Sequence, residues 1–106
     1  MIWFDFDVLC SAPRGALDYI EIARTYHAVL LSGVPQLNDG SEDKVRRFVN
    51  LIDEFYDRKV KLIISAHVDI ANVYSDTKLK FEFRRTSSRL AEMQSHRYLA
   101  SPHIVC

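Results

Sequence analysis

The densest group of side chains able to act on a charged substrate lies between Lys78 and Arg97. There Lys78, Lys80, Arg84, Arg85, Arg89 and Arg97 are accompanied only by Glu82 and Glu92. On a helix, Glu82, Arg85, Arg89 and Glu92 fall along one stripe, which reads as a solvated, salt-bridged face. The functional alternative is an arginine offered to an anion, above all a nucleotide phosphate in a neighbouring subunit. A planar guanidinium fork suits a transferring phosphoryl group. Spacing alone leaves both readings open, and a non-catalytic module that binds a partner protein through this basic segment is the rival from another class.

Other chemistry is weaker. Leu51-Ile52-Asp53-Glu54 resembles the strand that holds magnesium and activates water in nucleotide hydrolysis, but it sits inside the best helical period of the chain, not at the tip of a strand. Glu54 and Arg58 are an i,i+4 pair in the favourable order, and Asp53 is expected to share a solvent face with Asp57. His103 and Cys106 stand three apart, yet a zinc site needs a second pair and Cys10 is the only other thiol, so no metal site is expected. Cys10 has no identifiable histidine partner for nucleophilic chemistry. Asp5 and Asp7 are expected on one strand face, meeting water. The three glycines, at 15, 33 and 40, are none of them followed by lysine, so the chain holds no G-x-x-x-x-G-K-[ST] phosphate loop.

These residues belong to a chain of 106, one domain's length, with a hydrophobic fraction of 48%. Such a domain buries roughly two thirds of its extended-chain surface. Fourteen Lys and Arg balance fourteen Asp and Glu, which removes any global argument for a nucleic-acid or anionic-membrane partner. Two cysteines do not make a disulfide framework, and no stretch approaches the roughly 18 apolar residues of a membrane span. The acids at Asp5 and Asp7 do not fit a signal peptide, so an intracellular setting is expected.

The elements that position the candidates follow from periodicity. Ile2, Phe4, Phe6 and Val8 alternate with Trp3, Asp5 and Asp7 as in a half-buried strand. Leu17 to Tyr26 reads as a short helix, and Ala28-Val29-Leu30-Leu31 as a buried strand ended by Ser32-Gly33-Val34-Pro35. Ser41 is placed to cap a long helix through Val45, Phe48, Val49, Ile52, Phe55 and Tyr56, with Arg58 and Lys59 at its negative end. Val60 to Ala66 is a central strand. Val68 to Tyr74 fits one helical turn, Ser75-Asp76-Thr77 a turn, and Lys78 to Phe83 alternates like an edge strand or an extended lead-in. Arg84 to Ser95 is a helix weakened by Thr86-Ser87-Ser88, and Tyr98 to Cys106 reads as a tail. Strand, helix, strand, helix, strand is the pattern of an α/β fold with a small parallel sheet flanked by helices.

Several blocks taken together resemble the C-terminal half of the ATPase module in the family of the bacterial cell-division protein ZapE and its mitochondrial Afg-type relatives. They are Trp3-Phe4-Asp5-Phe6-Asp7-Val8-Leu9-Cys10, Pro13-Arg14 with Asp18-Tyr19-Ile20-Glu21-Ile22-Ala23, Val29-Leu30-Leu31-Ser32-Gly33-Val34-Pro35, Arg46-Arg47-Phe48 through Asp53-Glu54-Phe55-Tyr56-Asp57, and Phe83-Arg84-Arg85-Thr86 with Ser88-Arg89-Leu90 and Glu92-Met93-Gln94-Ser95. They cover nearly the whole chain in family order. Ala16, where a polar residue is expected, and His67, where an acid is usual, depart from the pattern.

The resemblance implies a P-loop, AAA+-like ATPase whose phosphate loop and magnesium-holding acids lie upstream of the Trp-Phe-Asp-Phe block. Residues 1–106 are then expected to be one domain, a fragment of a larger ATPase that is inactive alone. ATP and magnesium are the cofactors implied for the whole protein. Arg84, Arg85 and Arg89 become candidates for an arginine finger or nucleotide sensor, and Arg14 a weaker nucleotide-contacting candidate. Implied partners are the upstream half of the module, further copies in a homo-oligomer and a remodelled protein, such as a component of the division machinery. Nucleic acid is not implied, and the setting is the bacterial cytoplasm or, alternatively, the mitochondrion.

Overall fold

A computed structural model of the protein describes residues 2–11, 16–37, 42–66 and 80–103. Its three strands, β1 (Ile2–Asp5), β2 (Ala28–Val34) and β3 (Lys61–Ala66), form one parallel sheet in the order β1-β2-β3. Helix α1 (Ala16–Thr25) connects β1 to β2, and α2 (Glu42–Asp57) connects β2 to β3; α3 (Lys80–Glu92) and the short α4 (His96–Leu99) follow. This is the expected α/β class with a small parallel sheet. Ser41, the predicted cap, the segment 67–79 and Cys106 lie outside the described residues.

One face of the sheet makes the core. Val29, Leu31 and Val34 of β2 are fully buried, and Ile2, Phe4, Leu62, Ile64 and Ala66 pack against the same cluster. Helix α2 supplies Val45, Phe48, Val49, Leu51, Ile52 and Phe55, as its period requires, and packs against both α1 and α3. Aromatic rings tie these layers together: Phe48 lies 5.9 Å from Phe6 and 6.1 Å from Phe83, centroid to centroid.

Four elements differ from expectation. Strand β2 runs on through Ser32 and Gly33 to Val34, residues expected to end it, because Ser32 pairs with Asp5 and Val34 with Ala66. The opening strand stops at Asp5, because the buried positions change spacing there, to Phe6, Leu9 and Cys10. Residues Asp7–Ser11 form a π-helical turn. Its carbonyls find side-chain donors, Tyr19 Oη at 2.6 Å from Leu9 O and an Arg47 amine at 3.2 Å from Cys10 O. Asp7 therefore does not share a strand face with Asp5.

Lys80 to Phe83 is the first turn of α3, not an edge strand. Phe83, Thr86, Leu90 and Met93 are all buried, at spacings of three and four, and this helical period outweighs the local alternation. Thr86 Oγ1, 3.4 Å from the Glu82 carbonyl, satisfies its hydroxyl within the helix. The described part of the supposed tail, Tyr98 to His103, packs on the fold, with Ser101 O accepting from Lys61 and His103 meeting the Ala23 carbonyl. Ser95 caps α4 by accepting from Tyr98 N, and the buried Tyr98 donates between the Phe55 and Val60 carbonyls, at 3.2 and 2.6 Å.

Helix α2 ends in a Schellman arrangement with Lys59, at φ 58°, in the left-handed position usually given to glycine. Lys59 N donates to Tyr56 O and Val60 N to Phe55 O. The Lys59 ammonium lies 4.8 Å from the Tyr56 ring centroid and 5.2 Å from that of Tyr98, contacts that offset the backbone strain.

Candidate functional site

Helix α3 presents the three candidate arginines on its exterior, but the structure sorts them. Arg89 pairs with Asp53 Oδ1 of α2, and its guanidinium lies 5.1 Å from the Tyr56 ring centroid. Arg85 reaches the other oxygen of the same carboxylate, at 3.6 Å. Tyr56 donates to Glu92 Oε2, a bond that holds its hydroxyl proton and raises the phenol above its ordinary range. Of the stripe Glu82, Arg85, Arg89, Glu92, the last three thus find their partners on α2, not along α3. Asp53 correspondingly faces α3, not solvent, while Glu54 and Arg58 form the expected pair at 2.7 Å.

Arg84 stands apart. It is exposed, and it makes no ion pair or side-chain hydrogen bond with any described residue. With Phe81, Glu82, Arg85 and Ser88 it lines a cavity of about 340 Å³ on the outer side of α3. A second cavity, of about 210 Å³, lies where Arg46, Asn50 and Asp53 of α2 meet Glu82 and Arg85 of α3. Arg85 therefore borders both, held loosely by Asp53 in one and available to the other. Arg14 lies outside the described residues.

The sulfur and imidazole candidates have structural surroundings. Cys10 is fully buried, and burial pushes its thiol up to about 12, so it is unsuited to nucleophilic attack at neutral pH. His103 shares a hydrogen bond with the Ala23 carbonyl, 2.5 Å from Nε2, and its ring stands 6.5 Å from that of His27. Among the described residues no three His, Cys, Asp or Glu side chains are grouped to hold a metal ion. No described helix is long and apolar enough to cross a membrane.

Sequence reasoning missed the part played by Asp53, whose link to α3 depends on a pairing of helices that no local period encodes. It also missed Tyr56 and Lys59, whose positions at the end of α2 place them under Arg89 and against Tyr98. The one available signal was the concentration of aromatic and cationic residues from Phe55 to Lys59.

The family model described as AFG1-like ATPase matches residues 1–102. The chain belongs to this family. The cell division protein ZapE of Escherichia coli K12 is 46% identical over 99 residues, covering 93% of this chain and 26% of the relative. Lactation elevated protein 1 homolog B of Danio rerio is 34% identical over 128 residues, covering 91% of this chain and 25% of the relative. An uncharacterized protein of Schizosaccharomyces pombe is 32% identical over 128 residues, covering 94% and 28%. The chain spans about a quarter of the length of these relatives. No solved structure matches it.

Proposed function

We propose that this chain is the C-terminal portion of an ATP-hydrolysing module, and that α3 offers Arg84 to the nucleotide phosphate of a neighbouring subunit. The observation that carries this reading is the contrast within the arginine group. Arg85 and Arg89 share the Asp53 carboxylate, whereas Arg84 is exposed beside a cavity and pairs with no described carboxylate. A guanidinium without an internal partner is the one able to neutralise charge that develops on a transferring phosphoryl group. Arg85 is second in line, since its 3.6 Å contact to Asp53 is long and its side chain is 59% exposed.

In this reading ATP and magnesium are bound by the rest of the protein, and the present residues supply sheet strands, subunit contacts and the arginine. Hydrolysis would drive remodelling of a protein partner by a homo-oligomer. Likeness to an E. coli protein named for cell division supports a partner in the division machinery and a cytoplasmic setting.

The test is a chimera in which this chain replaces the matched residues of E. coli ZapE. Arg84→Ala is expected to lower kcat by roughly 10³-fold, the scale of an arginine finger. Survival of ATPase activity when Arg84, Arg85 and Arg89 are replaced by Ala in turn sinks the reading. If partner binding fails in those variants instead, the basic segment from Lys78 to Arg97 is an interaction surface, which the exposed Phe81 beside Arg84 would then serve.

A further inference from the structure

The bend that leads from α1 into β2 and the strap that follows α4 meet at the amino end of the sheet, and each carries a histidine. Lys61, the first residue of β3, fastens both. The register sets it beside Ala28, its backbone N donates to the His27 carbonyl at 2.8 Å, and its ammonium donates to the Ser101 carbonyl. His103, two residues further along the strap, reaches the Ala23 carbonyl in the last turn of α1, 80 residues away in the chain. The His27 and His103 rings then stand 6.5 Å apart, inclined at 52°.

The Ala23 contact decides the state of one ring. A carbonyl oxygen only accepts, so His103 Nε2 carries the hydrogen, and in the neutral imidazole Nδ1 keeps its lone pair. Metal-bound histidines are held in the same way, with the second ring N–H donated to a backbone carbonyl that fixes the tautomer and the ring orientation. His27 is exposed, and its imidazole makes no hydrogen bond or ion pair with any described residue. One ring is therefore oriented and the other is free to turn towards it.

Two imidazole nitrogens are donors suited to zinc, copper and nickel, whereas magnesium and calcium take oxygen. On a tetrahedral zinc ion, with each nitrogen about 2.0–2.1 Å from the metal, the ring centres stand on the order of 5 Å apart. Rotation of the exposed His27 side chain can close the remaining distance from 6.5 Å. Spacing along the chain pairs His103 with Cys106 instead, which is why the sequence predicts no metal site.

We propose that His27 and His103 bind a zinc ion, with water in the remaining positions, and that the ion fastens the strap to the bend before β2. The site makes no use of nucleotide, so its test stands apart from that of Arg84. Zinc alone is titrated calorimetrically into the 106-residue chain carrying Cys106→Ser, so that the thiol three residues beyond His103 contributes nothing; Cys10 is buried. A single ion per chain is expected to bind. His27→Ala, at an exposed position, is expected to leave metal-free stability unchanged and to weaken zinc binding by roughly tenfold or more. His103→Gln, whose amide can still donate to Ala23, is expected to weaken it as much, whereas His96→Ala, exposed on α4, is expected to change nothing. Saturating zinc should raise the thermal midpoint of the parent by roughly 4 °C or more and leave that of His27→Ala in place. Imidazole nitrogen resonances of both His27 and His103 should move on zinc addition. Equal zinc affinity in the parent and His27→Ala overturns the proposal. So does a loss confined to His96→Ala, or a set of His103 resonances that does not respond to the metal.

Discussion

Asp53 on α2 and Arg89 on α3 form an ion pair in which both side chains are only about a quarter exposed, 24% and 27%. Arg85 approaches the second carboxylate oxygen, so one acid anchors two arginines of the neighbouring helix. The Tyr56 ring lies under Arg89 and its hydroxyl donates to Glu92, which extends the link by one turn of α3. The polar attachment of α3 therefore runs through α2, alongside the apolar contacts of Phe83, Leu90 and Met93.

Replacing Asp53 by Asn keeps the shape of the side chain and removes its charge. Charge-assisted bonds of this kind contribute on the order of 1–2 kcal/mol when partly shielded. Asp53→Asn is expected to lower unfolding stability by about that amount in urea denaturation, whereas Asp57→Asn, on the exposed side of α2, should stay within about 0.5 kcal/mol of the parent.

Gly33 occupies φ +71°, and a Cβ there would stand 3.0 Å from Asp5 Oδ1. Gly33→Ala is expected to destabilise by about 1–2 kcal/mol, from left-handed strain and from the contact together. Combining it with Asp5→Ala removes the contact and leaves the strain. The double variant should therefore be less destabilised than the sum of the singles, as read by thermal or urea unfolding.

How far the sequence determines these arrangements differs by element. Helix α2 and the strand β3 are legible because their apolar periods are unbroken and the core they face is continuous, whereas β2 is legible only to Leu31, since Ser32 and Gly33 look like breakers yet continue the strand to Val34. The end of β1 is not legible, since Phe6 is buried both in a strand reading and in the structure, where it lies between β1 and the π-helical turn. The start of α3 is ambiguous for a related reason: Lys80 to Phe83 satisfies period two over four residues, and only Thr86, Leu90 and Met93 reveal period 3.6. The arginines were visible as a group, but their division was not. That division depends on which face of α3 meets Asp53, a tertiary contact between residues 36 apart.

Tyr98 bridges the carbonyls of Phe55 and Val60 and so closes the turn from α2 into β3. Burial also pushes its phenol well above the ordinary range. Tyr98→Phe keeps the ring, which stacks 5.9 Å from Tyr56, and leaves the two carbonyls without this donor. A loss of about 1–2 kcal/mol in urea denaturation is expected.

Alkaline pH should weaken the fold through Cys10. Its thiol, ordinarily at 9.0, is pushed up to about 12 by burial, so the folded chain holds a proton that the unfolded chain releases. Stability from this source is fully present below pH 9.0 and is lost as pH rises toward about 12. Cys10→Ala lowers stability at neutral pH by removing buried volume, but its decline above pH 9.0 should be shallower than the parent's, as measured by urea midpoints on either side of that pH.

Arg84 and Arg89 should separate by their effects on stability before any catalytic measurement is made. Arg84 is exposed and pairs with no described residue, so Arg84→Ala is expected to leave urea stability within about 0.5 kcal/mol of the parent. Arg89→Ala strips Asp53 of its closest partner and Tyr56 of the cation above its ring, and should lower stability by about 1–2 kcal/mol. Loss of ATPase activity in the Arg84→Ala chimera would then report on the guanidinium itself, while the same loss in Arg89→Ala would be mixed with loosening of α3. Arg84→Lys sharpens the distinction, because it keeps the charge but not the planar fork. If the fork is what meets phosphate, Arg84→Lys remains as impaired in kcat as Arg84→Ala; full recovery with Lys would reduce the role of Arg84 to that of a point charge.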